Sequence, residues 1–319
     1  MILPYALRLV CLCLASFFLV HAVLAAAARC LAPAALRFAE RLRAHSAARL
    51  LLALRLFPSA IALVAVAGLC VPSYLSLEQE GGAEFVGFTC LGAALFGAAV
   101  WTISWARTLR AARNSHLYVR QCKRAGPVWI ADGTAPFLGI AGILRPKLIL
   151  SRSVADALDN DQLAAAIRHE RAHQNSADNL KRLLLLLAPD AVPFVRGFAS
   201  VEHAWLRFSE WAADDSAVGK DAACSLSLAE ALVRVARLGT AAQASVLMSH
   251  FVAASVDISV RVERLLSPAI ETEVRKPRRL IALSGAIGGT LLTLLAIVLP
   301  MTQPAALRSV HGLLERLMH

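Results

Sequence analysis

Two histidines one helical turn apart form the most chemically specific pattern in the sequence. The stretch His169-Glu170-Arg171-Ala172-His173 has the spacing H-E-x-x-H. On a helix, residues four positions apart share a face, so both imidazoles can bind one metal ion. Glu170 lies beside them, where its carboxylate can take a proton from a water that the metal activates. The pattern predicts a zinc (Zn2+) site with Glu170 as the general base.

The flanking residues predict the helix that this spacing requires. Asp159 or Asn160 can cap its start, and Asp161 lies near the positive end of the helix dipole. Neither Gly nor Pro interrupts residues 161–173. The alternative is an amphipathic helix that carries two histidines by chance. A third ligand further along the chain would argue against that alternative.

Catalytic zinc uses three protein ligands and leaves one position for water. The best third candidate lies in residues 208–215, where Glu210 and Asp214 are four apart and share a helix face. One of these carboxylates can bind the metal while the other orients a ligating imidazole. The alternative is an ordinary solvated acidic face. Asp178 is expected to cap or brace the turn that follows the helix of His169 and His173. His203 is expected either at the surface or in contact with a ligand side chain, and not as a ligand itself.

These motifs together resemble the gluzincin membrane peptidases. The resemblance rests on H-E-x-x-H, on Asp178 five residues past the second histidine, and on E-x-x-x-D from Glu210 to Asp214. Two branches are similar, the BlaR/MecR-type sensor-transducer peptidases and the HtpX-type peptidases. Residues 135–150 and 261–266 resemble segments that flank the metal residues in the BlaR/MecR type.

The resemblance implies a role for each matching residue. His169, His173 and Glu210 would bind zinc, and Glu170 would be the general base. Asp214 would support the ligands, and Asp178 is a further candidate for that role.

Composition indicates a membrane protein. The chain has 319 residues, of which 58% are hydrophobic, and this is too apolar for one soluble domain of that size. The net charge of +11 comes with arginines beside apolar runs, which is typical of membrane proteins. Because no aromatic–basic interleaving is present, we expect no direct nucleic-acid partner. The seven cysteines are scattered without a C-x-x-C pair, which argues against a disulfide scaffold and a thiolate zinc site.

Four uncharged or nearly uncharged stretches are long enough to span a bilayer. They are residues 9–28, 56–77, 85–106 and 280–300. Arginines crowd the segments after the first and third stretches, whereas the second is followed by Glu78, Glu80 and Glu84. This distribution predicts an outer N-terminus and a cytoplasmic central region. A cleaved signal peptide is the alternative for the first stretch, but it would place the arginine-rich loop outside.

The expected fold is therefore a mainly α membrane protein with four transmembrane helices and a cytoplasmic α+β gluzincin zinc-peptidase domain. Residues 1–113 would hold three spans, 114–276 the peptidase domain, 277–302 the fourth span and 303–319 a short outer tail. Residues 128–132 and 147–150 are predicted strands, which would form either a structural hairpin or an edge that pairs with substrate. Residues 183–187 are predicted to form a buried helix that can touch the bilayer surface.

The function that this resemblance implies is cleavage of a protein at the inner face of a bacterial-type cytoplasmic membrane. The substrate would be a cytoplasmic repressor or a membrane protein. The BlaR/MecR type usually carries a large outer sensor domain, whereas only a short tail is expected here after the last span. Its signal would therefore come from a sensor partner, a second copy of the chain, the outer loop or the bilayer. The alternatives are a catalytically silent signalling scaffold and an HtpX-type quality-control peptidase.

Overall fold

Three long helices dominate the fold. The computed structural model describes residues 4–78, 86–126, 128–131, 136–143, 145–190, 197–239, 248–250, 258–267 and 304–318. Helix α1 is Tyr5–Ala39, and α2 (Ala44–Ala65) continues through a π turn (Val66–Cys70) into α3 (Val71–Leu77). Helix α4 is Phe88–Gln121.

By length and hydropathy, these three long helices are candidate membrane spans: Tyr5–Ala39, Ala44–Leu77 and Phe88–Gln121. They contain the first two apolar stretches and residues 88–106 of the third, and each continues well beyond its stretch at the arginine-rich end. Alanine and arginine are strong helix formers, so the helix does not stop where the hydropathy falls. The fourth expected span, residues 280–300, lies outside the described residues.

A small mixed sheet follows α4. Its strands are β1 (Lys123–Ala125), β2 (Val128–Ala131), β3 (Leu138–Ala141), β4 (Lys147–Ser151) and β5 (Met248–His250), in the spatial order β1-β2-β4-β3-β5. The β2–β4 pair is parallel and the other three pairs are antiparallel. The two strands predicted from the sequence, now β2 and β4, therefore form no hairpin with each other. The hairpin joins β4 to β3, which the sequence analysis did not identify.

Seven further helices complete the described structure, and three of them carry the predicted site. In chain order they are α5 (Arg152–Ala157), α6 (Asn160–Asn175), α7 (Asp178–Leu187), α8 (Ala199–Val218), α9 (Ala222–Arg237), α10 (Ile258–Leu266) and α11 (Pro304–Met318). Helix α7 matches the predicted helix at residues 183–187, although only Leu185 of that stretch is buried and Leu184 is exposed.

Two apolar cores pack against the helices that carry the predicted ligands, one against α6 and the other against α8. One core joins β3, α5, α6 and α9, with Leu138, Ala165 and Leu228 fully buried. The other joins the arginine-rich ends of α1 and α2 to α8, whose Trp205 and Phe208 are also buried. Helix α8 thus packs directly on the first two long helices while its other face meets α6. The predicted site lies between these two cores.

Candidate metal centre

The three predicted ligands meet at one point. The Nε2 atoms of His169 and His173 lie 3.1 Å apart. Glu210 on α8 places Oε2 3.5 Å from His169 Nε2 and Oε1 3.5 Å from His173 Nε2. Among the described residues, this is the group of His, Cys, Asp and Glu side chains that can hold a metal ion.

The separations of these ligand atoms fit a tetrahedral cation site. Bonds of about 2.0–2.1 Å that meet at tetrahedral angles place two ligand atoms about 3.3 Å apart. The 3.1 Å between the two imidazole nitrogens is close to that value, and each nitrogen lies 3.5 Å from a different oxygen of Glu210. Two imidazole nitrogens and one carboxylate oxygen suit zinc and several other divalent transition metals.

Each imidazole is oriented from behind by a carboxylate. His173 donates a hydrogen bond of 2.7 Å from Nδ1 to Oδ2 of Asp178. The Nδ1 atom of His169 lies 2.9 Å from Oδ1 of Asp214. A proton held at Nδ1 leaves the lone pair at Nε2 free for a metal, so both acids favour the ligating tautomer. The structure therefore separates the roles that the sequence left open, with Glu210 at the centre and Asp214 behind His169.

The start of α6 explains why the two histidines are presented on a regular helix. The Asp159 carboxylate accepts from the backbone N–H of Gln162 at 2.9 Å, and the Gln162 side chain accepts from the backbone N–H of Asp159. This reciprocal capping box satisfies two free N–H groups at the helix start. The Gln162 amide also donates to Glu230 on α9 at 2.8 Å, which fixes α6 against its neighbour.

A tight turn between α6 and α7 returns Asp178 to the metal helix. Ala177 has a φ of 53°, in the left-handed region that a residue with a Cβ atom seldom adopts. This conformation reverses the chain directly after α6, so that Asp178 begins α7 beside His173. Asp178 also accepts hydrogen bonds from Ser209 Oγ at 2.9 Å and Lys181 Nζ at 2.6 Å.

Two buried arginines, to which no role was assigned from the sequence, balance the carboxylates. Arg261 on α10 donates to both oxygens of Asp214, at 2.9 and 2.7 Å, and its Nη1 lies 3.2 Å from Glu210 Oε2. Arg182 on α7 places Nη2 3.7 Å from Glu210 Oε1. A cluster of buried carboxylates requires buried cations. That requirement could have pointed to both residues, and the resemblance of residues 261–266 to a BlaR/MecR-type segment could have pointed to Arg261.

Glu170 is buried beside the ligands with both carboxylate oxygens unsatisfied. Neither oxygen has a hydrogen-bond partner among the described residues. Buried polar atoms are almost always hydrogen-bonded, so two such oxygens in one side chain suggest that they act on a molecule that enters the site. Burial raises the pKa of this carboxyl, while positive charge on His169 and His173 acts in the opposite direction.

The electrostatics of the site favour cations. Burial lowers the pKa of His173, but the charge of Glu210 and the hydrogen bond to Asp178 outweigh it and raise that pKa to about 10. For Asp214, burial acts to raise the pKa, but the charge of Arg261 outweighs it and holds the pKa at about 2. The negative surroundings that stabilise a protonated imidazole also attract a divalent cation, which competes with the proton for the same nitrogen.

The site is closed. His169, Glu170 and Glu210 are fully buried, and His173 is 2% exposed. A cavity of about 20 Å³ reaches Asp178 from the side of α2, and it has room for about one water molecule. A polypeptide can therefore reach the ligands only after a neighbouring element moves. His203, by contrast, is exposed on α8 away from this cluster, as the sequence analysis expected.

An arginine of the second long helix connects the site to the candidate spans. Arg55 on α2 is 1% exposed and donates to the Glu202 carboxylate on α8 at 2.7 Å. It also donates to the carbonyl of Ala188 at 2.9 Å and to Asp190 Oδ1 at 3.3 Å, directly after α7. One guanidinium therefore joins the end of α7 to the start of α8, the helices that carry Asp178 and Glu210.

Comparisons with known proteins leave the family unassigned. No family model matches the chain, and no curated protein or solved structure matches it either. The residues that form the site are therefore the basis for any functional conclusion.

Proposed function

We propose that this protein is a membrane-embedded zinc endopeptidase of the BlaR/MecR type that cleaves a protein substrate at the cytoplasmic face. The observation that carries this proposal is the convergence of His169, His173 and Glu210, with the unsatisfied Glu170 carboxylate beside them. A structural zinc site is closed by four ligands, whereas a catalytic site keeps one position open. Three ligands with an adjacent acid fit the catalytic type.

When bound, zinc supplies Lewis acidity that polarises a carbonyl group and lowers the pKa of a water molecule towards neutrality. The residues of the chain supply the remaining steps. Glu170 takes the proton as water attacks the scissile carbonyl, and then passes it to the leaving amine. Asp178 and Asp214 hold His173 and His169 in the ligating orientation throughout.

Glu170 also favours an enzyme over a catalytically silent scaffold. A scaffold that only keeps the fold has no use for two unsatisfied buried oxygens, and an apolar or hydrogen-bonded residue at this position would be more stable. A general base, in contrast, must have its oxygens free to meet a water molecule. The HtpX-type quality-control peptidase shares this chemistry and would differ in its substrates.

The proposal also includes the orientation of the chain in the membrane. The three candidate spanning helices and the distribution of charge support an outer N-terminus and a cytoplasmic peptidase region in a bacterial-type inner membrane. We place the fourth span at residues 280–300. Because the site is closed, activation requires a movement that opens it, and a partner, a second copy of the chain or the bilayer would provide the trigger.

Substitution of Glu170 tests the proposal. Glu170→Ala should retain the metal but lose cleavage, and should trap substrate that then co-purifies from membranes. A repressor among the trapped proteins supports the signalling type, and misfolded membrane proteins support the HtpX type. Cleavage that persists in Glu170→Ala would contradict the assigned role. Wild-type protein that holds no metal would favour the silent scaffold.

A further inference from the structure

Helix α11 docks on the long helices far from the metal centre. It packs against α3, the π turn and α4. Its Leu314 is buried in an apolar cluster with Leu12 of α1 and Tyr74 of α3. In α1 this cluster takes in residues 5–15, whereas residues 22–39 belong to the core shared with α8. At 1.5 Å per residue, these two regions of α1 are centred about 30 Å apart.

A buried ion pair lies where α11 meets the end of α3. Arg8 on α1 is fully buried, and its Nη1 donates to Oε1 of Glu78 at 3.1 Å. Glu78 directly follows the last residue of α3, and its side chain is 7% exposed. The carbonyl groups at the C-terminal end of a helix carry partial negative charge. This carboxylate and the helix end therefore favour a further positive charge beside them.

His311 on α11 faces the same carboxylate. Its Nε2 lies 3.8 Å from Oε2 of Glu78 and 3.3 Å from Oε1 of Glu315, which is one turn further along α11. The other ring nitrogen, Nδ1, is buried and has no hydrogen-bond partner among the described residues. Imidazole is the side chain that commonly changes its charge between about pH 5 and 8. A proton on this ring would place positive charge between two carboxylates.

The charged groups that face His311 come from three elements. Glu78 follows α3, Arg8 projects from α1 and Glu315 belongs to α11, whose Arg308 is exposed. Residues 66–70 of the π turn and 88–102 of α4 contain no charged side chain. The other titratable side chains of these elements lie in the apolar cluster and are Tyr5, Tyr74, Cys70 and Cys90. Protonation of His311 therefore acts mainly through the two carboxylates.

We infer that α11 is a proton-dependent clamp, which binds the end of α3 more tightly when His311 is protonated and pairs with Glu78. Contacts that do not depend on pH keep the helix docked in both states. The Leu307 carbonyl accepts a hydrogen bond from Ser73 Oγ at 2.9 Å, and Leu314 is buried. The proton therefore changes how firmly α11 is held, because it adds the ion pair between the two helices.

The clamp is independent of the proposed peptidase activity. If the proposed orientation in the membrane also holds, α11 lies at the outer face, where acid outside the cell would reach His311. The clamp would then provide an input to the long helices that pack against α8. That regulatory link rests on the proposed function, whereas the clamp itself does not.

Hydrogen exchange measured by mass spectrometry on the full-length protein in detergent micelles tests the clamp. The exchange rate of peptides from residues 304–318, divided by the intrinsic rate at each pH, gives the protection of α11. A rise from about pH 5.5 to about pH 8 should lower this protection about fivefold in wild type, the upper range for one partly exposed ion pair. His311→Gln cannot take up a proton, so its protection should not change with pH. His203→Gln, at an exposed position of α8, is the control and should respond as wild type does.

Two further variants separate docking from the stability of α11 itself. Glu78→Gln removes the carboxylate at the end of α3 and should abolish the response, whereas Glu315→Gln removes only the partner within α11 and should keep most of it. Unchanged protection of α6 peptides will show that each variant still folds. Wild-type protection that does not change with pH would overturn the inference, as would a wild-type response in His311→Gln or Glu78→Gln. Because no readout depends on metal or on cleavage, a failure here leaves the proposed function standing, and the reverse also holds.

Discussion

His173 Nδ1 lies 2.7 Å from Asp178 Oδ2, and the two residues are joined by the left-handed turn at Ala177. The chain thus supplies a candidate metal ligand and the acid that orients it within five positions. Glu210 comes from a different helix, so the site forms only when α6, α7 and α8 are packed together.

Loss of the Asp178 carboxylate should weaken metal binding. Asp178→Ala removes the acceptor that holds the His173 proton at Nδ1, so we expect the metal affinity to fall about 10–100-fold. Competition with a chromophoric chelator measures the affinity. Asp156→Ala, at an exposed position of α5, is the control and should bind as wild type does. Equal affinity in the two variants would mean that Asp178 does not orient the ligand.

Arg261 should contribute far more to stability than its neighbour Arg264. Arg261→Ala leaves the buried carboxylates of Asp214 and Glu210 without their main cation, which should cost about 3–5 kcal/mol of unfolding free energy. Arg264 pairs with Asp215 near the surface, so Arg264→Ala should cost about 1 kcal/mol or less. Thermal unfolding of both variants in detergent measures the difference, and similar losses would contradict it.

Arg55 should affect the metal site although it lies outside it. Arg55→Ala removes the hydrogen bonds to Glu202, Ala188 and Asp190 that join the end of α7 to the start of α8. Asp190 then keeps only its 3.7 Å contact with Arg107, so both stability and metal affinity should fall. Arg55→Lys keeps the positive charge but not the planar guanidinium with its several N–H donors. We therefore expect an intermediate loss of stability and metal affinity. Arg49→Ala, at an exposed position of the same helix, is the matched control. A metal affinity in Arg55→Ala equal to that of the control would exclude the coupling.

Much of the site follows from local sequence. The spacing of His169 and His173, the capping residues and Asp178 all lie within about two dozen residues, where helix geometry fixes the arrangement. Glu210 and Asp214 required the further assumption that a second helix folds back onto the first. The resemblance of residues 261–266 marked a segment but gave Arg261 no role, because its contact with His169 joins residues 92 positions apart.

In the fold as well, features that depend on contacts between distant residues could not be predicted from the sequence. The long apolar helices were predictable from composition, whereas β3 was not, since all four of its residues are buried and its sequence lacks the alternation of a half-exposed strand. The tail, expected only to be short, forms α11, whose Leu307 carbonyl accepts a hydrogen bond from Ser73 Oγ at 2.9 Å. That docking depends on tertiary contacts, which the sequence of the tail does not specify.

Removal of the metal should lower the thermal stability. A ligand that binds only the folded state stabilises it by about 2.7 kcal/mol at a concentration 100-fold above its Kd. Chelation should therefore lower the unfolding temperature of wild type, and added zinc should restore it. Glu210→Gln should show a much smaller response, and an equal response would place the metal elsewhere.

Metal stoichiometry measured by elemental analysis tests the central claim most directly, with wild type and His169→Ala, His173→Ala and Glu210→Ala variants purified in parallel. We predict about one zinc ion per wild-type chain and strong depletion in each variant, because the three side chains form one site. Wild-type protein without bound metal, or variants that retain the wild-type content, would contradict the account.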